Sequence, residues 1–215
     1  MKSFNSLTIV LVLCATIYYT QCSLADVCDL GEGVESGQMN DEDMEEASGL
    51  AYSRLQDGVL YTINDKGGLP AVIALSEQGE KVGFINLDGV ENTDYEDIAT
   101  TVEDGVSFIL VSDTGNNDFD RDPLSIFKLR DQNMDSGDVT VPRDEIEELH
   151  VRYEGFSYDC EALAVDEPTG DFFMFTKDRE NNISEVFTYP YPQSIHKNPF
   201  TLGISCYNIE LKIYI

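Results

Sequence analysis

The sequence predicts an all-β protein assembled from repeats of one strand-and-turn unit, and three observations carry that reading. Runs of five to eight β-branched, aromatic and aliphatic residues recur along the chain, turn formers separate them, and one signature returns three times. Glu46 opens EASGLAYS, Glu96 opens EDIATTV and Glu161 opens EALAVD, at intervals of 50 and 65 residues. Each is followed 16 to 19 residues later by a strand ending in a polar pair: Asn64-Asp65, Ser112-Asp113 and Lys177-Asp178. Self-similarity at this period implies a repeat architecture.

Residues 1–25 read as a secretory signal peptide. Lys2 precedes a 13-residue run from Leu7 to Tyr19 of apolar residues, tyrosine and threonine, and Ser23-Leu24-Ala25 offers small residues for cleavage. The run is too short to span a bilayer of roughly 30 Å as a helix. Cleavage after Ala25, with Cys22 the near alternative, leaves 190 residues and a secreted, extracellular product. Residues 26–45 form an acidic lead-in. Asp26 to Glu46 holds nine acidic residues and no basic one, so solvated charge is expected there rather than a defined cation cage.

The first unit, from Glu46, should contain strands in SGLAYS, VLYTIND (Val59 to Asp65), AVIAL (Ala71 to Leu75) and KVGFINL (Lys81 to Leu87). Asp57-Gly58, Lys66-Gly67-Gly68 and Gln78-Gly79 supply the turns. VLYTI is apolar or β-forming on both faces, as expected where sheets stack on either side. The second unit repeats the order with EDIATTV, VSFILVSD, LSIFKLRD and ELHVRYE, the loop Asp131 to Glu147 being its long insertion. The third gives EALAVD, DFFMFTKD and SEVFTYPYP. Four short antiparallel strands per unit make an up-and-down sheet. Residues 193–215 are β-prone but carry no further copy, and read as a divergent tail.

Cleavage at Ala25 removes one of 13 basic residues and none of the 41 acidic ones, so the mature net charge is −29. Nucleic acid and anionic membranes are poor partners for such a chain, because both need positive charge to displace counterions. Calcium ions, a mineral surface or cationic matrix proteins are the natural counterparts, and plain solubility explains the charge equally well. Secretion also makes Cys28, Cys160 and Cys206 disulfide candidates, with one thiol left over. Cys160 reads equally well as a small buried hydrophobe. Asn182-Ile183-Ser184 is a glycosylation sequon.

Asp94-Tyr95-Glu96-Asp97-Ile98-Ala99, then Asp113-Thr114-Gly115-Asn116-Asn117 with Arg121, then Asp159-Cys160-Glu161-Ala162-Leu163 resemble the successive signatures of a family of secreted β-propellers akin to the TolB-like and NHL types. Glu46 to Ala51 and Asn64-Asp65 match its first unit, so the likeness covers residues 46–192. The family commonly has tryptophan where Tyr95 stands, and its propellers run for several more blades. The resemblance therefore implies a partial, open β-propeller of about three four-stranded antiparallel blades. Such a chain is expected to be a truncated form, to be completed by a second copy or another chain, or to have its tail improvise a cover, since propellers close with four to eight blades.

The resemblance also implies that Glu46, Glu96, Asp97 and Glu161 line the central channel. Converging carboxylates raise one another's pKa unless a cation neutralises them, which makes a metal plausible. The competing reading is that each carboxylate caps backbone N–H groups of a neighbouring unit. Asp113, Asn116, Asp118, Asp120 and Asp122 pack hard oxygen ligands into one loop and form a calcium candidate, although Pro123 and Leu129 occupy the positions where an EF-hand needs glycine and glutamate. The same residues also make ordinary turns. Gly155 to Asp159 lacks the second glycine of a nucleophile elbow, and His150 and His196 are the only histidines. The expected function is a secreted acidic binding or matrix protein that takes calcium or a calcium mineral surface. The rival is a propeller hydrolase, esterase or phosphoesterase-like, with channel carboxylates and a metal.

Overall fold

Thirteen strands and two 3₁₀ turns make up the regular structure of the computed structural model, which describes residues 35–39, 41–177, 184–193, 196 and 198–204. The signal-peptide segment, Cys28, Cys206 and Asn182 lie outside the described residues. The protein is all-β. Strands β1 (Ala47–Tyr52), β2 (Val59–Asn64), β3 (Ala71–Ser76) and β4 (Lys81–Leu87) run up and down in order, and β8 (Val139–Val141) joins the outer edge parallel to β4. The remaining eight strands form one sheet in the order β10-β11-β12-β13-β9-β7-β6-β5. Here β5 is Tyr95–Glu103, β6 Val106–Asp113, β7 Leu124–Arg130 and β9 Glu147–Tyr153. The others are β10 (Cys160–Asp166), β11 (Asp171–Thr176), β12 (Val186–Tyr189) and β13 (Phe200–Ile204). Its end strands, β5 and β10, come back against each other, so the sheet is nearly closed and barrel-like.

Period-two alternation sends the side chains of the middle strands into two cores. Ile109 and Val111 of β6, with Phe127 and Leu129 of β7, meet Tyr61, Ile63, Val72 and Ile85 of the first sheet. Leu110, Leu124 and Ile126 point the other way, onto Leu163, Phe172, Met174 and Phe187. Burial on both faces explains why VSFILVSD reads as a near-continuous apolar run. The β5–β6 hairpin is closed by Asp104 and Gly105, both left-handed at φ 49° and 78°, the pair of conformations a two-residue turn needs to match strand twist.

Two stretches carry structure that their composition does not announce. In the acidic lead-in, Asp41 caps the 3₁₀ turn Glu42–Met44, and Met44 is buried against Ile73 and Leu75. Lys81 pairs with both Asp41 and Asp43, and Asn64 Nδ2 donates to the Asp43 carbonyl at 2.7 Å. A single methionine and one lysine therefore anchor residues that their charge density marks as solvated. At the other end, Phe200–Ile204 pairs antiparallel with β12 and parallel with β9, so part of the segment set apart as a tail completes a four-stranded group. Cys160 is a free, fully buried thiol in the second core, as its reading as a small hydrophobe expects.

Candidate metal centre

The first strands of the three groups lie side by side, β5 between β1 and β10. That arrangement gathers carboxylates from three places. Asp94 and Asp159 immediately precede β5 and β10, Glu96 and Glu161 are the second residues of those strands, and Asp65 follows β2. They form two groups that share Glu96: Asp65, Asp94 and Glu96, and Glu96, Asp159 and Glu161. Within each group the carboxylate oxygens lie within 4.8 Å of one another.

The DTGNN turn positions this centre. Asp113 Oδ1 accepts the Asp94 N–H at 3.0 Å and pairs with Arg121 at 2.7 Å. The Asn116 N–H donates to Asp159 Oδ1 at 2.8 Å, while Asn116 Oδ1 accepts the Arg121 N–H at 2.9 Å. Arg121 also reaches the carbonyls of Gly115 and Asp113. A Cβ added at Gly115 would stand 2.2 Å from Glu96 Oε1 and 2.5 Å from Asp94 Cγ, so only glycine lets the backbone press against these carboxylates.

Glu96 is 7% exposed, and its carboxylate receives no hydrogen bond and no ion pair from the described residues. Its backbone carbonyl is held by Ser48 Oγ at 2.6 Å. Burial pushes the Glu96 carboxyl up to about 8, and the charges of Glu161, Asp65, Asp94 and Asp159 add to the shift. Burial raises Glu161 as well, against the opposing Lys177 ammonium, with Asp159 adding to the rise. Two lysines serve five carboxylates: Lys177 pairs with Glu161, and Lys66, itself 63% exposed, stands 3.5 Å from Asp94. Two unit charges 4.8 Å apart repel by roughly 3.5 kcal/mol at an effective dielectric of about 20. The cluster therefore cannot ionise fully without more positive charge. All-carboxylate donors suit a hard divalent ion such as calcium, which takes six to eight oxygen ligands.

The other expected site residues separate into different roles. Glu46 is exposed and belongs to neither group; its backbone carbonyl accepts the Asp65 N–H at 2.9 Å. Asp97 accepts from Ile98 and, across to β10, from Leu163, both at 2.8 Å. It is a backbone clamp, as the competing reading describes, and burial raises its carboxyl. Asp118 and Asp120 are exposed, and Asp122 lies 3.3 Å from Arg152. No three of Asp113, Asp118, Asp120 and Asp122 come within 4.8 Å of one another.

Sequence reasoning missed Asp65, Asp94 and Asp159 as members of the site. A signal was present: Asp-x-Glu occurs at Asp94–Glu96 and Asp159–Glu161, and residues two apart in a strand share a face. In the first unit the corresponding residue is Met44, which is buried in a core, and Glu46 is left outside the cluster. Ser125 Oγ lies 3.2 Å from His150 Nδ1 and 3.0 Å from Glu148 Oε1, which is itself 3.7 Å from the same Nδ1. A serine relay needs base and orienting carboxylate on opposite ring nitrogens, so this trio is not one. In comparisons with known proteins, no family model and no curated sequence matches the chain.

Proposed function

We propose that this chain is a three-blade, open β-propeller that works outside the cell as an acidic binding protein, taking a divalent cation of the calcium type at the channel end of its inner strands. The observation that carries the reading is Glu96, a 7% exposed residue whose carboxylate has no donor among the described residues and is set among four other carboxylates. Each group of four strands, with β1, β5 and β10 innermost and β5 flanked by the other two, fits a blade. Leu7 to Tyr19 supports secretion, and none of the described helices is long and apolar enough to cross a membrane. The mature charge of −29 favours a calcium-rich setting such as the organic matrix of a mineral, with cationic matrix proteins as further partners.

Calorimetric titration of the secreted chain with calcium tests the reading. Wild type should give a saturable exotherm or endotherm that Glu96→Gln abolishes, while Asp118→Asn/Asp120→Asn leaves it intact. Binding that survives in Glu96→Gln and disappears in the loop variant would place the ion on the loop instead.

A further inference from the structure

We infer that the centre is a two-ion site in which Glu96 bridges two divalent cations, one held with Asp65 and Asp94 and the other with Asp159 and Glu161. The inference rests on the cation reading given above and extends it to number and arrangement. Two separate carboxylate triplets have one member in common, and that member is the only one of the five for which the described residues supply neither a hydrogen bond nor an ion pair. Asp65 accepts the Lys66 N–H at 2.5 Å, Asp94 faces Lys66, Asp159 accepts the Asn116 N–H, and Glu161 pairs with Lys177. Glu96, at 7% exposure, has two oxygens and no donor among the described residues, and it is shared by the two triplets. A carboxylate can offer one oxygen to each of two neighbouring ions, which is how paired metal sites are commonly spanned.

Charge supports two ions. Fully ionised, the five carboxylates with both lysines in place would carry −3, so ionising all of them, Glu96 included, takes more charge than one divalent ion brings. Lys66 is exposed and free to swing away from Asp94, whereas Lys177 is half-buried against Glu161. With Lys177 retained, Lys66 released and two divalent ions bound, the centre is neutral. The two lysines thus act as place-holders, one on each triplet. Their exposures differ, so the ion on the Asp65–Asp94 side should enter by displacing Lys66, the one on the Asp159–Glu161 side beside Lys177. Gly115 keeps the carboxylates close on one side, since a side chain there would collide with Glu96 and Asp94.

Manganese is the probe, read by calorimetric stoichiometry and by electron paramagnetic resonance of the intact secreted chain. Two ions per chain are expected, with a spin-coupled spectrum at saturation, because ions sharing one carboxylate lie within a few ångströms of each other. Asp65→Asn and Glu161→Gln should each leave one ion and an uncoupled spectrum, and Glu96→Gln should remove both ions. Lys66→Ser changes an exposed residue and should tighten one of the two ions several-fold without altering the other. Near- and far-ultraviolet circular dichroism verifies that each variant is folded. A single ion per chain, weakened alike by Asp65→Asn and Glu161→Gln, overturns the two-ion arrangement while leaving the cation site standing. No bound manganese in folded wild type overturns both.

Discussion

Asp131 and Glu96 are carboxylates of nearly equal burial, 8% and 7% exposed, set in opposite surroundings. Asp131 accepts from Ser53 Oγ at 3.1 Å, from the amides of Arg54 and Leu55 at 2.8 and 3.0 Å, and from Tyr61 Oη at 2.6 Å. Burial, with the Asp131 carboxylate next, raises the Tyr61 hydroxyl well above the usual tyrosine range, so it stays a donor. Glu96 meets acids instead of donors. A buried charge surrounded by donors organises a fold, and one surrounded by like charges waits for a counter-ion. Buried acids in this protein therefore stand in two kinds of setting, and the hydrogen-bond partners tell them apart where composition does not.

The largest effect should come from the satisfied carboxylate. Asp131→Ala strips four donors of their acceptor and should lower stability by roughly 4 kcal/mol, measured by urea unfolding. A loss under 1 kcal/mol would erase the contrast with Glu96. Next, Gly115→Ala drives a methyl into Glu96 and Asp94. It should cost about 1–3 kcal/mol and remove divalent-ion binding, because the atoms the methyl meets are the Glu96 and Asp94 carboxylates themselves, which must swing out of the centre. If ion affinity were unchanged in a folded Gly115→Ala protein, the centre would lie elsewhere.

The pH dependence sharpens the same contrast. The folded Glu96 carboxyl is raised to about 8, above its ordinary value near 4.5. The folded state holds its proton more tightly than the unfolded chain. That contribution is complete below about 4.5 and is lost as pH rises through 8. The ion-free protein should lose stability between pH 5 and 8, where the unfolded chain gives up a proton that folded Glu96 keeps, by on the order of 2 kcal/mol, and Glu96→Gln should flatten that slope. Chemical unfolding at several pH values in chelator measures it; a slope identical in wild type and Glu96→Gln would remove Glu96 as its source. The smallest effect belongs to the exposed loop. Asp118→Asn/Asp120→Asn should change stability by less than about 0.5 kcal/mol.

Much of the fold is legible in the sequence, because strand signals are local. VLYTIND, VSFILVSD and DFFMFTKD sit where β2, β6 and β11 form, and turn glycines mark the hairpins. The parallel strands β8 and β13 are not legible, since each short segment is held by a partner strand distant in sequence: β8 by β4, and β13 by β9. The Met44 anchor is equally hidden, one apolar residue among acids that gains meaning only once Ile73 and Leu75 lie beneath it. In the candidate site, the repeated glutamates point to Glu96 and Glu161, which fall in the carboxylate groups, and equally to Glu46, which the structure leaves exposed. Asp65 joins Glu96 only through the adjacency of the two sheets, a contact across more than 30 residues that no local motif encodes. The Asp113–Asp122 loop shows the converse: its acids are close in sequence, yet Asp113 turns inward to Arg121 while Asp118 and Asp120 face solvent.

The most direct test is the melting temperature at pH 8 with and without calcium, in wild type and in Glu96→Gln. At a calcium concentration of 100 times Kd, wild type should gain about 2.7 kcal/mol for each ion bound, a rise in Tm of roughly 5–11 °C per ion for a chain of this size. Glu96→Gln should melt higher than wild type in chelator and show no rise with calcium. Equal rises in both proteins, or none in wild type, would contradict a cation site centred on Glu96.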